Sequence, residues 1–398
     1  MTDDIREQMR FGIFLGPFHR PEGNPTWDLQ RDVRLVEWLD QLGYDEAFIG
    51  EHHSGGWEII GSPEVFIAYA AARTQRIRFG TGVVSLPYHH PLQVAERFVL
   101  LDHLTRGRVV LGVGPGALPS DAMMMGLDYS DLRDRMEEAL EAILALLDTD
   151  GLVDRKTSWF ELRGAQLQLK PYTRPRPEIA VTAVVSPAGA KLGGRLGLPM
   201  INFGASNPAA RQGLAGHWQV LEEEAARVSR DVPPRQAWRL VSPIHIAPTR
   251  EQAEQEVRFG LEEWAGYFFR DAGIYKAVRE SCGLDPDAPR LEVVRRSGLG
   301  VIGTPEDAIA HIEGLQQSSG GGFGTYLILA HDWADEDATR RSFELFARYV
   351  MPHFQGSTTR RLQNWAAYHA EDAAHMKMLS DAQARARAKY EAEKQDRG

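Results

Sequence analysis

Short runs of β-branched and aromatic residues alternate along this chain with longer stretches whose apolar residues recur every three or four positions. Such alternation predicts βαβ units and a parallel sheet. Arg10–Gly16 reads as a strand, with a helix over Asp28–Leu42. Asp45–Gly50 is a second strand, followed by a helix over Pro63–Thr74. Ile77–Val84 is the third strand, with a helix over Leu92–Leu104. Arg108–Gly112 is the fourth, with a helix over Leu132–Leu147. The second half is less regular, with strands expected at Pro177–Ala183, Pro199–Phe203, Trp238–Ile246 and Thr325–Ala330. Eight strands joined by right-handed crossovers meet the requirement of a closed (β/α)8 barrel.

Two stretches exceed ordinary loops. Residues 148–175 predict a small hairpin around Trp159–Leu162, and residues 250–299 are largely helical, with Val257, Leu261, Trp264 and Phe268 at helical spacing. Insertions at the strand-to-helix end of a barrel build lids and substrate walls, or simply add packing; both readings stay open here. After Phe354 the composition shifts to Ala, Glu, Lys, Arg and Gln with few strong hydrophobes. That tail predicts one or two exposed helices, either draped over a neighbouring subunit of a homodimer or solvated. The expected class is therefore α/β, a single (β/α)8 TIM barrel over residues 1–354 with two insertions and a helical tail over 355–398.

Composition narrows the function. With 398 residues, 43% of them hydrophobic, the chain has material for a large core. A net charge of -10 argues against a nucleic-acid partner, which needs a surplus of Lys and Arg. No apolar run approaches the ~18 residues that span a bilayer, and Met1–Met9 lacks a signal-peptide core. The lone Cys282 has neither a base nor a cation beside it, which suits an idle thiol in a reducing compartment. A cytoplasmic protein is expected.

Function in a parallel barrel gathers past the C-terminal ends of the strands. Those positions hold Gly16–His19, Glu51-His52-His53, Ser85–Pro91, Gly114-Pro115-Gly116 and Val185–Gly189. Five of the thirteen histidines lie on the first three of these loops. A metal reading is weak, because adjacent residues at a strand end point in opposite directions and no helical His-x-x-x-His pair is present. Gly112–Gly116 is not a dinucleotide fingerprint, since Pro115 interrupts it and the third glycine is missing. Its glycines provide small volume, for a flat ring or for a tight turn. Ser186-Pro187-Ala188-Gly189 reads as a helix start, with Ser186 as N-cap and Pro187 at the first helical position. Its free amides would face the rim, where they could hold a phosphate. Trp57, Phe66, Tyr88, Met123–Met125 and Phe203 suggest an apolar pocket, although such residues also build ordinary core.

Read together, these loops resemble the bacterial luciferase-like family. The resemblance rests on Glu51-His52-His53, Ile77–Val84, Leu86-Pro87-Tyr88-His89-His90-Pro91, Leu101–Arg108 and the Gly112–Gly116 turn. It continues through Gly126, Arg133, Ser186, Gly197–Met200, Gly303–Glu306 and Met351-Pro352, and so covers nearly all of the chain except the tail. Length and the tract around Ala122–Gly126 are most similar to the limonene monooxygenase subgroup. The family implies reduced FMN delivered by a separate flavin reductase, reaction with O2 to a peroxyflavin, and oxygen transfer to a small apolar substrate such as a terpene, aldehyde or ketone.

Residue by residue, the resemblance puts His52 on the active-site histidine, an acid or base near the flavin; an ordinary pKa of about 6.5 suits that task. It puts Val83, Val84 and Ser85 on the strand end under the flavin ring, and Gly114 where luciferase has a cysteine close to it. Arg133 and Ser186 fall on phosphate contacts, with Gly189 in the helix start beside them; the guanidinium fork suits a phosphate. Pro115 and Val185 depart from an arginine and a glutamate of luciferase, which argues against light emission. Two rivals remain: a deazaflavin-dependent oxidoreductase of the same fold, and a non-catalytic flavin-binding paralogue. Glu51-His52-His53 favours the FMN branch, and the presence of His52 and Arg133 speaks against the paralogue.

Overall fold

A parallel strand enclosed by helices outside and side chains inside is buried on both faces and largely apolar, and past their first residues the barrel strands of this chain are mostly so. The computed structural model describes residues 9–395, apart from residues 17, 207, 273–278, 281 and 286–287. Its strands, in chain order, are β1 (Arg10–Leu15), β2 (Glu46–Ile49), β3 (Arg78–Thr81), β4 (Val84–Ser85) and β5 (Val109–Gly114). There follow β6 (Val153–Lys156), β7 (Glu161–Ala165), β8 (Glu178–Ala183), β9 (Met200–Asn202), β10 (Arg239–Ser242), β11 (Ile244–Ile246), β12 (Val301–Gly303) and β13 (Thr325–Leu329). Parallel pairing runs β1-β2-β3-β5-β8-β9-β10-β13 and back to β1, closing an eight-stranded TIM barrel. Closure between β3 and β5 is made by the pairs Phe79–Val109 and Gly80–Val110. All eight expected strands are present.

Several boundaries differ from the sequence reading, each for a local reason. The helix expected from Asp28 starts at Pro25, because Asn24 caps it through hydrogen bonds from the amides of Thr26 and Trp27. The run Ile77–Val84 breaks after Thr81, where the Gly82–Val83 peptide is cis; Val84 and Ser85 then resume along β5 as β4. Trp238–Ile246 splits at Pro243, which has no amide hydrogen to donate to a ladder. Its second half, β11, pairs with β12, a strand the sequence reading did not anticipate. Helix Pro119–Met124 was not anticipated either. The hairpin in the first insertion is present as antiparallel β6 and β7.

The N-terminal end of the barrel is sealed by charge. Arg239 and Glu46 are wholly buried, joined Nε to Oε2 at 2.7 Å and Nη2 to Oε1 at 2.9 Å. Glu178, Arg78 and Arg10 complete the network from the starts of β8, β3 and β1. Above this seal, Phe14, Phe48, Val110, Ala180, Ile201, Val241 and Leu327 fill the barrel interior. They are continuous with Val257, Leu261, Trp264 and Leu299 of the second insertion. That insertion therefore closes the apolar interior at the rim where chemistry is expected.

Two compact units can be distinguished, Met1–Phe354 and Gln355–Gly398. The second consists of helices Thr359–Ala370 and Asp372–Gln395, exposed along their length. None of the described helices is long and apolar enough to cross a membrane.

Candidate active site

The chain leaves β2 as Gly50-Glu51-His52-His53, and successive side chains of an extended segment alternate in direction. His52 and His53 accordingly serve different carboxylates. Glu51, fully buried, accepts from His53 Nε2 at 3.0 Å, from His89 Nε2 at 2.6 Å and from the Ser85 amide at 2.7 Å. Burial alone would raise its pKa; the hydrogen bonds from the two histidines and the Ser85 amide outweigh that and hold it below the usual carboxylate range. Glu51 thereby ties the loop after β2 to β4.

His52 lies between two other acids. Its Nδ1 is 3.1 Å from Asp121 Oδ2, and its Nε2 is 3.6 Å from Glu58 Oε2. Asp121 sits on helix Pro119–Met124, is almost wholly buried, and also accepts from the His53 amide at 3.2 Å and from the Ser54 hydroxyl. These hydrogen bonds overcome the cost of burial and keep Asp121 ionised, with its pKa lowered. An ionised carboxylate only accepts, so His52 Nδ1 carries the hydrogen. Burial pulls the His52 pKa down, but the charges of Glu58 and Asp121 outweigh it and leave the pKa raised. The imidazole is thus oriented at one nitrogen and faces a second acid at the other.

Beside this pair lies a shallow cradle made by β4 and the end of β5. Ser85 pairs with Gly114, and Val84 with Val113. A Cβ on Gly114 would lie 2.6 Å from Val83 Cγ2 and 3.1 Å from Thr182 Oγ1, so only glycine lets these segments meet. Tyr88 Oη is buried with no partner among the described residues, and burial, helped by Asp121 and Glu51, pushes the phenol up to about 12. A bound molecule with an acceptor would satisfy it.

At the outer edge of the rim, Arg133 Nη1 donates to Ser186 Oγ at 3.5 Å, both residues exposed. They come from the first turn of helix Leu132–Asp148 and from the loop after β8. Ser186 does not take the N-cap position expected of it. The helix after β8 begins at Ala188, with Pro187 in the cap position, and Ser186 makes no capping hydrogen bond. Pro187 takes φ -73° and ψ 0° there, which moves the helix start one residue on and frees the serine hydroxyl for Arg133. Gly189 rests on the carbonyl of Thr182, where any Cβ would collide.

Val83, Val84, Ser85 and Gly114 thus meet in the cradle, and Arg133, Ser186 and Gly189 meet at the rim. Thr182 touches both groups, and His52 connects through its neighbour Glu51 to Ser85. The donors suit a phosphate on an organic ring system: a guanidinium, a hydroxyl and a helix start, next to a glycine-floored cradle and an orphaned phenol. Among the described residues, no group of three or more His, Cys, Asp and Glu could hold a metal ion.

The apolar expectation divides. Trp57 and Phe203 pack on the barrel interior, Phe203 with its ring 5.2 Å from Phe14 and Trp57 stacked 4.4 Å from Phe18. Phe66 instead belongs to the core between barrel and outer helices, and Met123, Met124 and Met125 point to solvent at 74%, 63% and 42% exposure. Asp121 and Glu58 were missed by the sequence reading. Leu118-Pro119-Ser120-Asp121, with proline at the helix start and an acid in the first turn, was the available signal for one. Glu58 offered only its isolation between Trp57 and Ile59.

A closed parallel barrel with a histidine–carboxylate pair and phosphate-type donors at its C-terminal rim has the layout of a TIM-barrel enzyme. The chain belongs to the luciferase-like monooxygenase family, whose model matches residues 9–321, and it is a monooxygenase. It is 44% identical over 395 residues to limonene 1,2-monooxygenase of Rhodococcus erythropolis, covering 99% of each chain. It is also 44% identical to 4-hydroxyprotoasukamycin monooxygenase of Streptomyces nodosus subsp. asukaensis, covering 88% of this chain and 94% of that one. A solved structure of the oxygenating constituent of Pseudomonas putida 3,6-diketocamphane monooxygenase, a type II Baeyer-Villiger enzyme in complex with FMN, superposes with a TM-score of 0.75. There the identity is 26%, over 87% of this chain and 98% of that one.

Proposed function

We propose that this monooxygenase uses reduced FMN and O2 to place one oxygen atom on a small apolar substrate, a terpene-like hydrocarbon by similarity to its relatives. The observation that carries the reading is the Arg133–Ser186 pair at the rim beside the Val83–Ser85 and Gly114 cradle. Arg133, Ser186 and the amides at the start of helix Ala188–Leu196 hold the phosphate, and the cradle supports the ring. Reduced flavin, when bound, supplies two electrons and a ring carbon that reacts with O2. The protein's part is to bind and orient, to exclude water, and to manage protons at His52. Its Nδ1 hydrogen is committed to Asp121, which leaves Nε2 to take up and release a proton. Phe14, Phe203 and Trp57, closed over by Trp264 and Trp333 (ring centroids 5.2 Å apart), form the apolar wall for the substrate.

The family resemblance supports two further parts of this reading: a separate reductase delivers the reduced flavin, and the working unit is a homodimer. The test is oxygen uptake with enzymatically reduced FMN and a panel of cyclic terpenes under labelled O2. Mass spectrometry should show one labelled oxygen in the product. Absence of O2 uptake, with hydride transfer from a reduced deazaflavin instead, would overturn the reading.

A further inference from the structure

We propose that Glu58 is a second proton-handling residue of this enzyme, exchanging a proton with His52 Nε2 at the mouth of the barrel. The chemistry rests on the FMN reading above; the pairing of residues rests on geometry. Glu58 stands between Trp57 and the apolar pair Ile59-Ile60. Its carboxyl folds back over the ends of β1 and β2. A Cβ on Gly16 would lie 2.8 Å from Glu58 Oε2, and one on Gly50 would lie 3.3 Å away. Glycine at both positions leaves the carboxyl room to lie against the strand ends, with its side chain only 19% exposed.

The 3.6 Å between Glu58 Oε2 and His52 Nε2 is longer than a formed hydrogen bond, and a small imidazole rotation would close it. Asp121 holds the opposite nitrogen, so the ring is anchored with Nε2 turned to Glu58. The other ionisable groups facing the pair are Glu51, Asp121 and His53 around His52, and His19 near Glu58. Burial raises the Glu58 pKa, and the charges of His52 and His19 offset only part of that. A carboxyl reluctant to ionise thus stands beside an imidazole ready to protonate.

The proton balance is simple. Monooxygenation places one atom of O2 in the substrate and turns the other into water, using two electrons and two protons, all available from reduced flavin. Glu58 Oε2 gives its proton to the oxygen that becomes water and takes one back from His52 Nε2. Reduced FMN, when bound, would supply the protons, and His52 Nε2 would take up the one that recharges Glu58. Asp121 acts through the imidazole: it is a positioning residue that fixes the His52 tautomer.

The test uses the full chain and two readouts. The first is a nitrogen-15 NMR titration of labelled histidines without cofactor, with His52 assigned from the spectrum of His52→Gln. Glu58→Gln should lower the His52 pKa by about one unit, and Glu58→Asp should restore part of that shift. Asp121→Asn should change the His52 tautomer. The second readout is coupling with reduced FMN, O2 and a terpene. Glu58→Gln should raise the ratio of hydrogen peroxide to product about tenfold or more, with flavin affinity within a few-fold of the parent. An unchanged His52 titration, or parental coupling in a folded Glu58→Gln, would overturn the proposal. If the unmodified protein took up no oxygen with reduced FMN, the FMN reading would fall while the titration still judged the Glu58–His52 pair.

Discussion

Replacing Glu51 by glutamine tests whether a buried carboxylate holds the cradle in place. In the parent, three donors converge on a fully buried carboxylate: His53 Nε2, His89 Nε2 and the Ser85 amide. Hydrogen bonds to an ionised acceptor contribute about 1.5–3 kcal/mol each, against about 0.5–1.5 for neutral ones. Glutamine keeps an oxygen for Ser85 and turns its amide to the imidazoles, which must then present bare nitrogens. Each of the three contacts loses about 1 kcal/mol, so Glu51→Gln should cost about 2–3 kcal/mol of unfolding free energy. Glu51→Ala leaves all three donors unpaired and should cost about 4–6 kcal/mol. The gap should also depend on pH. The hydrogen bond that His53 donates to Glu51 raises the His53 pKa, against burial. That contribution is complete below the unfolded value of about 6.5 and is lost as pH rises through the folded pKa. Glu51 itself has a lowered pKa, so its contribution is present above about 4.5 and lost in acid. The gap between parent and Glu51→Gln should therefore be larger at pH 6 than at pH 9. Urea titrations followed by tryptophan fluorescence at both pH values measure it. A gap below about 1 kcal/mol, or one equal at both pH values, would refute the anchoring role.

Three further expectations follow from the geometry. Arg133→Ala should weaken FMN binding about a hundredfold (about 2–3 kcal/mol), as read by fluorescence quenching; unchanged affinity would remove Arg133 from the phosphate site. Gly114→Ala should push Val83 out of the cradle and lower flavin affinity about tenfold with little loss of thermal stability; a crystal structure with Val83 unmoved would contradict this. Arg239→Met removes the cation that, after burial is overcome, holds Glu46 down to about 2, and should cost about 3–5 kcal/mol at neutral pH. Because Glu46 contributes above its unfolded value of about 4.5 and loses that contribution as pH falls towards 2, the Arg239→Met deficit should shrink in acid. A deficit that grows there would exclude the ion-pair account.

The barrel was legible because its strands are local objects. Arg10–Leu15, Val109–Gly114 and Thr325–Leu329 are buried on both faces, and a run that must be apolar throughout announces itself in one dimension. His52 stood out at a strand end, Ser186 at an expected helix start that the structure places one residue later, and Arg133 only through the family resemblance. The tertiary structure decided which of these residues meet. Asp121 reaches His52 from 69 positions away, on a six-residue helix too short to show a hydrophobic period. Arg133 finds Ser186 across 53 residues because Pro187 defers the helix start and leaves the serine hydroxyl unused by a cap. Trp57 and Phe66 look alike in sequence, yet one lines the interior at the rim and the other packs under the outer helices. Side-chain chemistry and period are properties of a segment, whereas a site is a set of distances between segments, and only closure of the barrel sets those distances.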